Sequence, residues 1–345
     1  MSRASDARGR QLTVLQSFPR PLPTTNPYLV LLAEQLRAEG VTVLAFSWRT
    51  ALLARYDVYH SHWPEILVTG RTPMRKLARQ LLAVLFLLRL WATRRPIVRT
   101  VHNIERPEGL GWRERILLDW IDRQTALRIR LNVHTVIPEG QPFETIPHGH
   151  YRDWFARYPR SAPVRGRLGY AGLIRRYKGV ETLLAAFEGA ADSDTDLTLR
   201  VGGKPSSEEL AEAVRRAADT DSRISAVLEF LSDGQLVEIL TASELAVFPY
   251  RFMHNSGGAL AALSLDVPIL VPRNAVNEDL AVEVGPGWVH FFDTEVTSAD
   301  LLRALADARG THRSARPNLD AREWPQAAAL HIAAYRRAIG FRSAR

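Results

Sequence analysis

Gly169-Tyr-Ala-Gly-Leu-Ile-Arg-Arg-Tyr-Lys-Gly-Val-Glu-Thr-Leu-Leu-Ala-Ala-Phe187 is the stretch on which the reading of this chain turns. A short strand, Arg167–Ala171, runs into a loop that carries Gly172, Arg175, Arg176 and Lys178, and a helical pattern follows over Gly179–Phe187. Strand, short loop and helix in that order form the repeating unit of a parallel α/β sheet, because a crossover must carry the chain back before the next parallel strand. The loop follows a strand, which is where open parallel sheets bind ligands. Cations beside the unpaired N–H groups of a helix start suit a diphosphate. A solvated basic loop would show the same local pattern.

The alternation continues in both directions. Downstream, Leu197–Val201 reads as a strand ending in Gly202-Gly203, and Val227–Phe230, Leu245–Phe248, Pro268–Val271 and Trp288–Phe291 read as further strands. Ser206-x-x-Glu209 and Ser232-x-x-Gln235 resemble capping boxes that open helices. Gly257–Leu265 and Asn277–Val284 read as helices. Upstream, strands are expected at Gln11–Phe18, Val41–Phe46, Asp57–His60, Ile97–Val101, Ile129–Val136 and Glu144–Ile146. Helices are expected at Tyr28–Glu39, stopped by Gly40, and at Arg113–Arg128. Tyr151–Arg165 has neither a helical nor a strand period and is read as the interdomain linker. The expected architecture is α/β with two Rossmann-like domains, residues 1–160 and 165–323, and a terminal helix from Trp324.

Composition bounds the function. The 345 residues suit two such domains and include no cysteine, which excludes disulfides, thiolate metal sites and cysteine nucleophiles. Met1–Arg10 is polar and charged, with no apolar core of a secretory signal, and no apolar run reaches the length of a transmembrane helix. Localisation is therefore expected to be cytoplasmic. The 45 Lys and Arg against 37 acids give a net charge of +8. That charge fits an anionic partner such as nucleotide phosphate, lipid or nucleic acid, and equally a genome that spells basic residues as Arg.

A second constellation, Phe248-Pro-Tyr-Arg-Phe-Met-His-Asn-Ser-Gly-Gly258, ends a strand and opens a helix. Asn255 or Ser256 serves as an ordinary N-cap, but Gly257 and Gly258 in the first turn weaken the helix and favour close approach of a phosphate. With these residues on the page, the second half resembles the nucleotide-binding half of the GT-B-fold glycosyltransferases. The resemblance rests on Gly-x5-Lys-Gly at Gly172–Gly179, the strand into Gly203, the Phe248-Pro-Tyr250 strand end, the Ser-Gly helix start and Gly-x-x-Trp at Gly285–Trp288. It covers roughly Arg167–Phe292 well and the first half more loosely. It implies two domains facing a central cleft and a terminal helix, residues 324–345, that packs back onto the first domain. It also implies a nucleoside diphosphate sugar held by Gly172, Arg175, Lys178, Gly203, Asn255, Ser256, Gly257 and Gly258, with no other cofactor and no metal. The Glu-x7-Glu pair of many retaining members is missing, since Met253 and Ala261 stand at those places. The chain is accordingly more similar to the exopolysaccharide, xanthan-type branch, which includes inverting β-mannosyltransferases. This makes GDP-mannose the first expectation for the donor.

The first half is then expected to hold the acceptor. Asn26-Pro-Tyr28, His60-Ser-His-Trp-Pro-Glu65 and Val101-His-Asn-Ile-Glu105 all follow strands. An inverting transfer needs a base for the acceptor hydroxyl. Glu65, Glu105 and His102 are the catalytic candidates, and His62 is a further possible base. Asn26, Tyr28, His62, Asn103 and His148 are candidate contacts to the acceptor or sugar. Either glutamate could be a surface carboxylate, His102 a hydrogen-bonded core histidine and His148 a turn residue beside Gly149. Asp192-Ser-Asp194 and Asp194-Thr-Asp196 match the spacing of a metal-binding Asp-x-Asp but read as turn residues, and His60 with His62 lacks a third zinc ligand.

Between Glu65 and Glu105 no acid occurs, while Arg71, Arg75, Lys76, Arg79, Arg89, Arg94 and Arg95 flank the apolar run Leu81–Leu88. Such a helix can lie in an anionic membrane surface, or can be buried with snorkelling arginines. The first reading places the enzyme on the inner face of the plasma membrane, beside a glycan or polyprenyl-diphosphate-linked acceptor. A sugar-nucleotide 2-epimerase on the same fold and a basic nucleic-acid- or membrane-binding protein are the alternatives. No nucleic-acid recognition motif is present, and no Gly-x-Gly-x-x-Gly follows the first strand as an oxidoreductase would require.

Overall fold

The computed structural model describes residues 11–22, 24–103, 105–190 and 196–343. The Asp-x-Asp matches at 192–196 fall almost wholly outside them, as does the Met1–Arg10 segment. The chain divides into two compact units, one running to Gly149 and resuming at Ala321, the other His150–Asp320.

The first unit contains, in order, β1 (Thr13–Gln16), α1 (Pro27–Ala38), β2 (Thr42–Leu44), α2 (Trp48–Leu53), β3 (Val58–Ser61), α3 (Glu65–Val68), α4 (Pro73–Ala92), β4 (Ile97–Val101), α5 (Trp112–Gln124), β5 (Thr125–Arg130) and β6 (Phe143–Thr145). The second contains α6 (Arg152–Phe155), β7 (Val164–Ala171), α7 (Val180–Glu188), β8 (Thr198–Gly202), α8 (Glu208–Thr220), β9 (Ile224–Val227), α9 (Asp233–Thr241), β10 (Ser243–Val247), α10 (Gly257–Ser264), β11 (Ile269–Pro272), α11 (Ala275–Val284), β12 (Val289–Phe292) and α12 (Ser298–Gly310). Helix α13 (Trp324–Ser343) rejoins the first unit.

Each unit is built on a six-stranded parallel sheet, ordered β2-β1-β3-β4-β5-β6 in the first and β12-β11-β10-β7-β8-β9 in the second. The strand order reverses between β1 and β3 and between β7 and β10. The carboxyl ends at those two switch points are the binding crevices that this topology creates.

Apolar residues on neighbouring positions of one strand serve opposite faces of the first sheet. Val14, Val58 and Val98 join a core with Tyr28, Leu32 and Leu36 of α1 and with Trp324, Ala328, Ile332 and Tyr335 of α13. Leu15, Tyr59 and Ile97 join the opposite core with Phe86, Leu87 and Leu90 of α4 and Leu117 and Ile121 of α5. The α13 positions recur at helical spacing, so that helix supplies one side of the first unit's core.

Several expected boundaries move. The fifth strand is Thr125–Arg130 rather than Ile129–Val136, because Leu127 and Ile129 alternate into the core and the helix stops at Gln124. Strand β9 is Ile224–Val227, which leaves Leu228–Leu231 as the loop after it. The N-cap of α8 is Ser207, not Ser206, with its hydroxyl accepting from Leu210 N–H, whereas Ser232 and Gln235 do form a reciprocal box. Tyr151–Arg165 is no free linker. Tyr151 N–H donates to Ser264 Oγ at 3.0 Å and Trp154 Nε1–H to Asp233 Oδ2 at 2.9 Å, so this segment is bound into the second unit.

Candidate functional site

The first unit places a polar ladder at its switch point. His60 and His62 lie two residues apart and share one face of the sheet, as do Thr100 and His102 on the neighbouring strand. His60 Nε2 meets Thr100 Oγ1 at 2.8 Å, and His62 Nδ1 meets His102 Nε2 at 3.1 Å, forming two successive rungs. At the end of β1, Gln16 Oε1 lies 3.1 Å from His62 Nε2. From α13, the Tyr335 hydroxyl lies 2.7 Å from His60 Nδ1 and 3.5 Å from Gln16 Nε2. His62 N–H donates to Ser17 Oγ at 3.0 Å, which ties the ends of β1 and β3 together.

Burial disfavours the charged imidazolium. It holds His60 and His62 well below the usual histidine range, the neighbouring histidines adding to the effect. It lowers His102 to about 3 and His148 and His331 to about 4. The ladder is therefore neutral near pH 7, each ring carrying one N–H donor and one acceptor nitrogen. His60 and His62 spend their nitrogens on these hydrogen bonds, so the zinc pair considered from the sequence is instead a hydrogen-bonded pair.

A pocket of about 310 Å³ opens beside the ladder, lined by His62, Glu65, His102, Asn103 and Glu105. Five of the residues expected on the acceptor side thus share one cavity. Trp63 forms its wall, stacked on His102 with ring centroids 4.3 Å apart. Arg99, Arg106 and Arg128 also line the pocket and converge on Asp122, with Arg106 at 2.5 Å and Arg128 at 3.9 Å. The sequence reading had not singled out these arginines or Trp63. Asn26, Tyr28 and His148 do not line the cavity. Asn26 Oδ1 caps α1 by accepting from Tyr28 N–H at 3.0 Å. Tyr28 is buried, its ring 4.4 Å from His148 and 5.4 Å from His102, so Tyr28 packs against the ladder and His148 packs against Tyr28.

In the second unit the loops after β7 and β10 meet. Gly179 adopts φ +67°, and a Cβ there would fall 2.0 Å from Pro249 O, so only glycine permits this approach. A Cβ on Gly203 would lie 1.7 Å from Gly172 O, which gives Gly203 a packing role between the two strand ends. Lys178 Nζ stands 4.9 Å from the centre of the Tyr250 ring. Burial, with Arg175 close by, lowers this lysine to about 8. Arg175 is exposed and makes no ion pair among the described residues, while Arg176 is engaged with Glu209 at 2.7 Å. Ser256 is the N-cap of α10, its hydroxyl accepting from Ala259 N–H at 3.2 Å, and Asn255 precedes it. Gly258 packs against Phe248, where a Cβ would come within 2.9 Å of the ring, and Gly257 faces the Tyr151 hydroxyl. Met253 and Ala261, at the places of the missing glutamates, are buried.

Two six-stranded parallel sheets, each with a crevice at its switch point, define an α/β protein of the GT-B fold. No protein-family model matches the chain. Two relatives from Xanthomonas campestris pv. campestris, both GDP-mannose:glycolipid 4-beta-D-mannosyltransferase, are 44% identical over 335 residues, spanning 97% of this chain and 95% of theirs. The fold is shared with Anabaena Alr3699/HepE, solved with UDP and glucose, at TM-score 0.59 and 15% identity over 96% of this chain and 98% of that one. It is shared equally with the sucrose-phosphate synthase of Thermosynechococcus elongatus, at TM-score 0.59 and 15% identity over 97% of each chain. The chain belongs to the family of the Xanthomonas mannosyltransferase and is a glycosyltransferase. The epimerase and nucleic-acid alternatives are not favoured by that relationship.

Proposed function

We propose that the enzyme transfers mannose from GDP-mannose to a glycan carried on a polyprenyl diphosphate lipid, with inversion and without a metal ion. The observation that carries the donor and acceptor is the 44% identity to a GDP-mannose:glycolipid 4-beta-D-mannosyltransferase along nearly the whole chain. The donor diphosphate lies against Arg175, Lys178 and the N–H groups that open α10 after Ser256. These fixed positive groups stabilise the charge that develops on the leaving diphosphate. The acceptor sugar enters the pocket of the first unit. There Glu65, Glu105 or His102 takes the proton of the attacking hydroxyl as the new bond forms on the face opposite the leaving group. The absence of the Glu-x7-Glu pair supports inversion.

The enzyme works at an anionic membrane surface. Helix α4 carries Met74, Leu77, Leu81, Leu85, Leu88 and Trp91 exposed along one side, opposite its buried Ala83, Phe86, Leu87 and Leu90. Among the described residues no helix is long and apolar enough to cross a membrane, so the stripe lies in the interface. Lys76, Arg89 and Arg95 are engaged with Glu114, with the Ala51 and Ala54 carbonyls, and with Asp57. Arg71, Arg75 and Arg94 make no ion pair among the described residues and are left to face lipid phosphate.

Thermal-shift titration with GDP-, UDP-, ADP- and TDP-sugars tests the donor. GDP-mannose is expected to raise Tm in the wild type and not in Arg175→Ala or Lys178→Ala. Stabilisation by a different nucleotide sugar alone would overturn the GDP assignment. The anomeric configuration of the product, and transfer in the presence of EDTA, decide inversion and metal independence.

A further inference from the structure

The ladder beside the pocket has a direction, and its distances say which. Tyr335 is a phenol held protonated by burial. It makes a short contact of 2.7 Å to His60 Nδ1 and a long one of 3.5 Å to Gln16 Nε2. A phenol is a better donor than acceptor, so its O–H belongs in the short contact. His60 then accepts at Nδ1 and donates from Nε2 to Thr100. The Gln16 amide directs its NH2 group to Tyr335 and its carbonyl to His62. A carbonyl oxygen only accepts, so His62 carries its proton on Nε2 and presents a bare Nδ1 to His102. His102 must in turn carry its proton on Nε2, which leaves its Nδ1 as the acceptor nitrogen of the ring that lines the pocket.

We propose that Gln16 is a positioning residue that sets the tautomers of His62 and His102, with Tyr335 of α13 holding the Gln16 amide in the required orientation. Gln16 and Tyr335 are fully buried and line no part of the pocket, so they act through the histidines. Reversing the Gln16 amide reverses the chain of donors and turns His102 from a ring with an acceptor Nδ1 into one with an Nδ1–H donor. Only the first form accepts a proton or a hydrogen bond at Nδ1. The proposal rests on the reading of His102 as a group that meets the acceptor sugar.

The test is two-bond 1H–15N spectroscopy on full-length protein labelled at histidine, with turnover measured in parallel. In the wild type both His62 and His102 are expected as Nε2–H tautomers. Gln16→Leu removes the acceptor at His62, and is expected to move both rings away from that form and to lower kcat about 10- to 100-fold with little change in KM. Gln16→Glu, once ionised, only accepts at that position, and at a pH high enough to ionise the buried carboxyl it is expected to preserve both tautomers and most of the turnover. Tyr335→Phe releases the amide and is expected to give mixed signals for His62 and His102, which keeps the test open should Gln16→Leu not fold. An Nδ1–H signal for His102 in the wild type overturns the proposal. So does a Gln16→Leu spectrum in which both rings keep their wild-type tautomers. Tautomers that switch while turnover stays constant would uphold the relay and remove His102 from the reaction, so failure of the relay and failure of the site reading are distinguished.

Discussion

Trp63 lies flat on His102, with ring planes 18° apart and centroids separated by 4.3 Å. The stack fixes the ring that ends the hydrogen-bonded ladder and makes one wall of the adjoining pocket. An aromatic pair of this kind is worth about 1 kcal/mol beyond its burial, or about fivefold in a rate or binding constant. Trp63→Ala is therefore expected to lower kcat/KM by about that factor or more, and Trp63→Phe by less. Steady-state kinetics with a lipid-linked acceptor provides the measurement. An unchanged kcat/KM in Trp63→Ala would detach this wall from the reaction.

The proposed place of Lys178 against the donor diphosphate predicts that donor binding depends on pH. Its ammonium loses its proton near pH 8 because burial disfavours the charge. The protonated form would attract the diphosphate, so affinity is expected to be full below pH 8 and to decline above it. The decline is expected to be about tenfold per pH unit until the pKa of the bound state is reached. Calorimetric titration with GDP at pH 7 and pH 9 checks this. The same titration on Lys178→Met should show weaker binding with that slope removed.

The buried histidines predict acid lability of the first unit. Their folded-state pKa values lie below the free value of 6.5, with His102 at about 3 and His148 and His331 at about 4. Between pH 6.5 and these values the unfolded chain binds more protons than the folded one, so stability rises with pH there. The contribution is complete above pH 6.5 and is lost as pH falls through about 4 and then 3. Tm recorded from pH 8 to pH 4 is expected to fall mainly below 6.5. A flat profile across that window would contradict the neutral ladder.

Vesicle sedimentation addresses α4. Wild-type protein is expected to bind vesicles that contain phosphatidylglycerol, and binding should weaken as salt is raised because the Debye length shrinks. Leu81→Glu combined with Leu85→Glu places two acids in the middle of the exposed stripe and should abolish binding. Transfer to a short, detergent-soluble acceptor should persist in that variant. Retention of vesicle binding would move the membrane contact elsewhere.

Much of the fold was legible because parallel strands buried on both faces read as apolar runs, and because Gly40, Ser232 with Gln235, and Gly257 punctuate the helices between them. The strand-to-helix loops of the second unit were legible for a related reason. Gly172, Lys178, Gly179, Ser256 and Gly258 serve strand-to-helix junctions, and a junction is local in sequence. Elsewhere the signals were shared by two readings. Thr125–Arg130 continues the polarity of the helix before it, so the end of α5 was placed late. Tyr151–Arg165 lacks a period because Trp154 and Tyr158 are both anchored to Asp233 and the Tyr151 main chain to Ser264, and not because it is a free linker. Helix α4 is apolar on both sides, and only packing reveals which leucines remain uncovered.

The pocket of the first unit divides in the same way. The sequence alone determined that His62, Glu65, His102, Asn103 and Glu105 follow strand ends, and strand ends in a parallel sheet converge on one edge. It could not show that Gln16 and Tyr335, 319 positions apart, complete the hydrogen bonding of His60 and His62, nor that three arginines gather on Asp122. Those pairings depend on the register of β1, β3 and β4 and on where α13 docks against them. A tautomer is a property of the hydrogen bonds that packing creates, so the proton position on His102 was decided by tertiary structure.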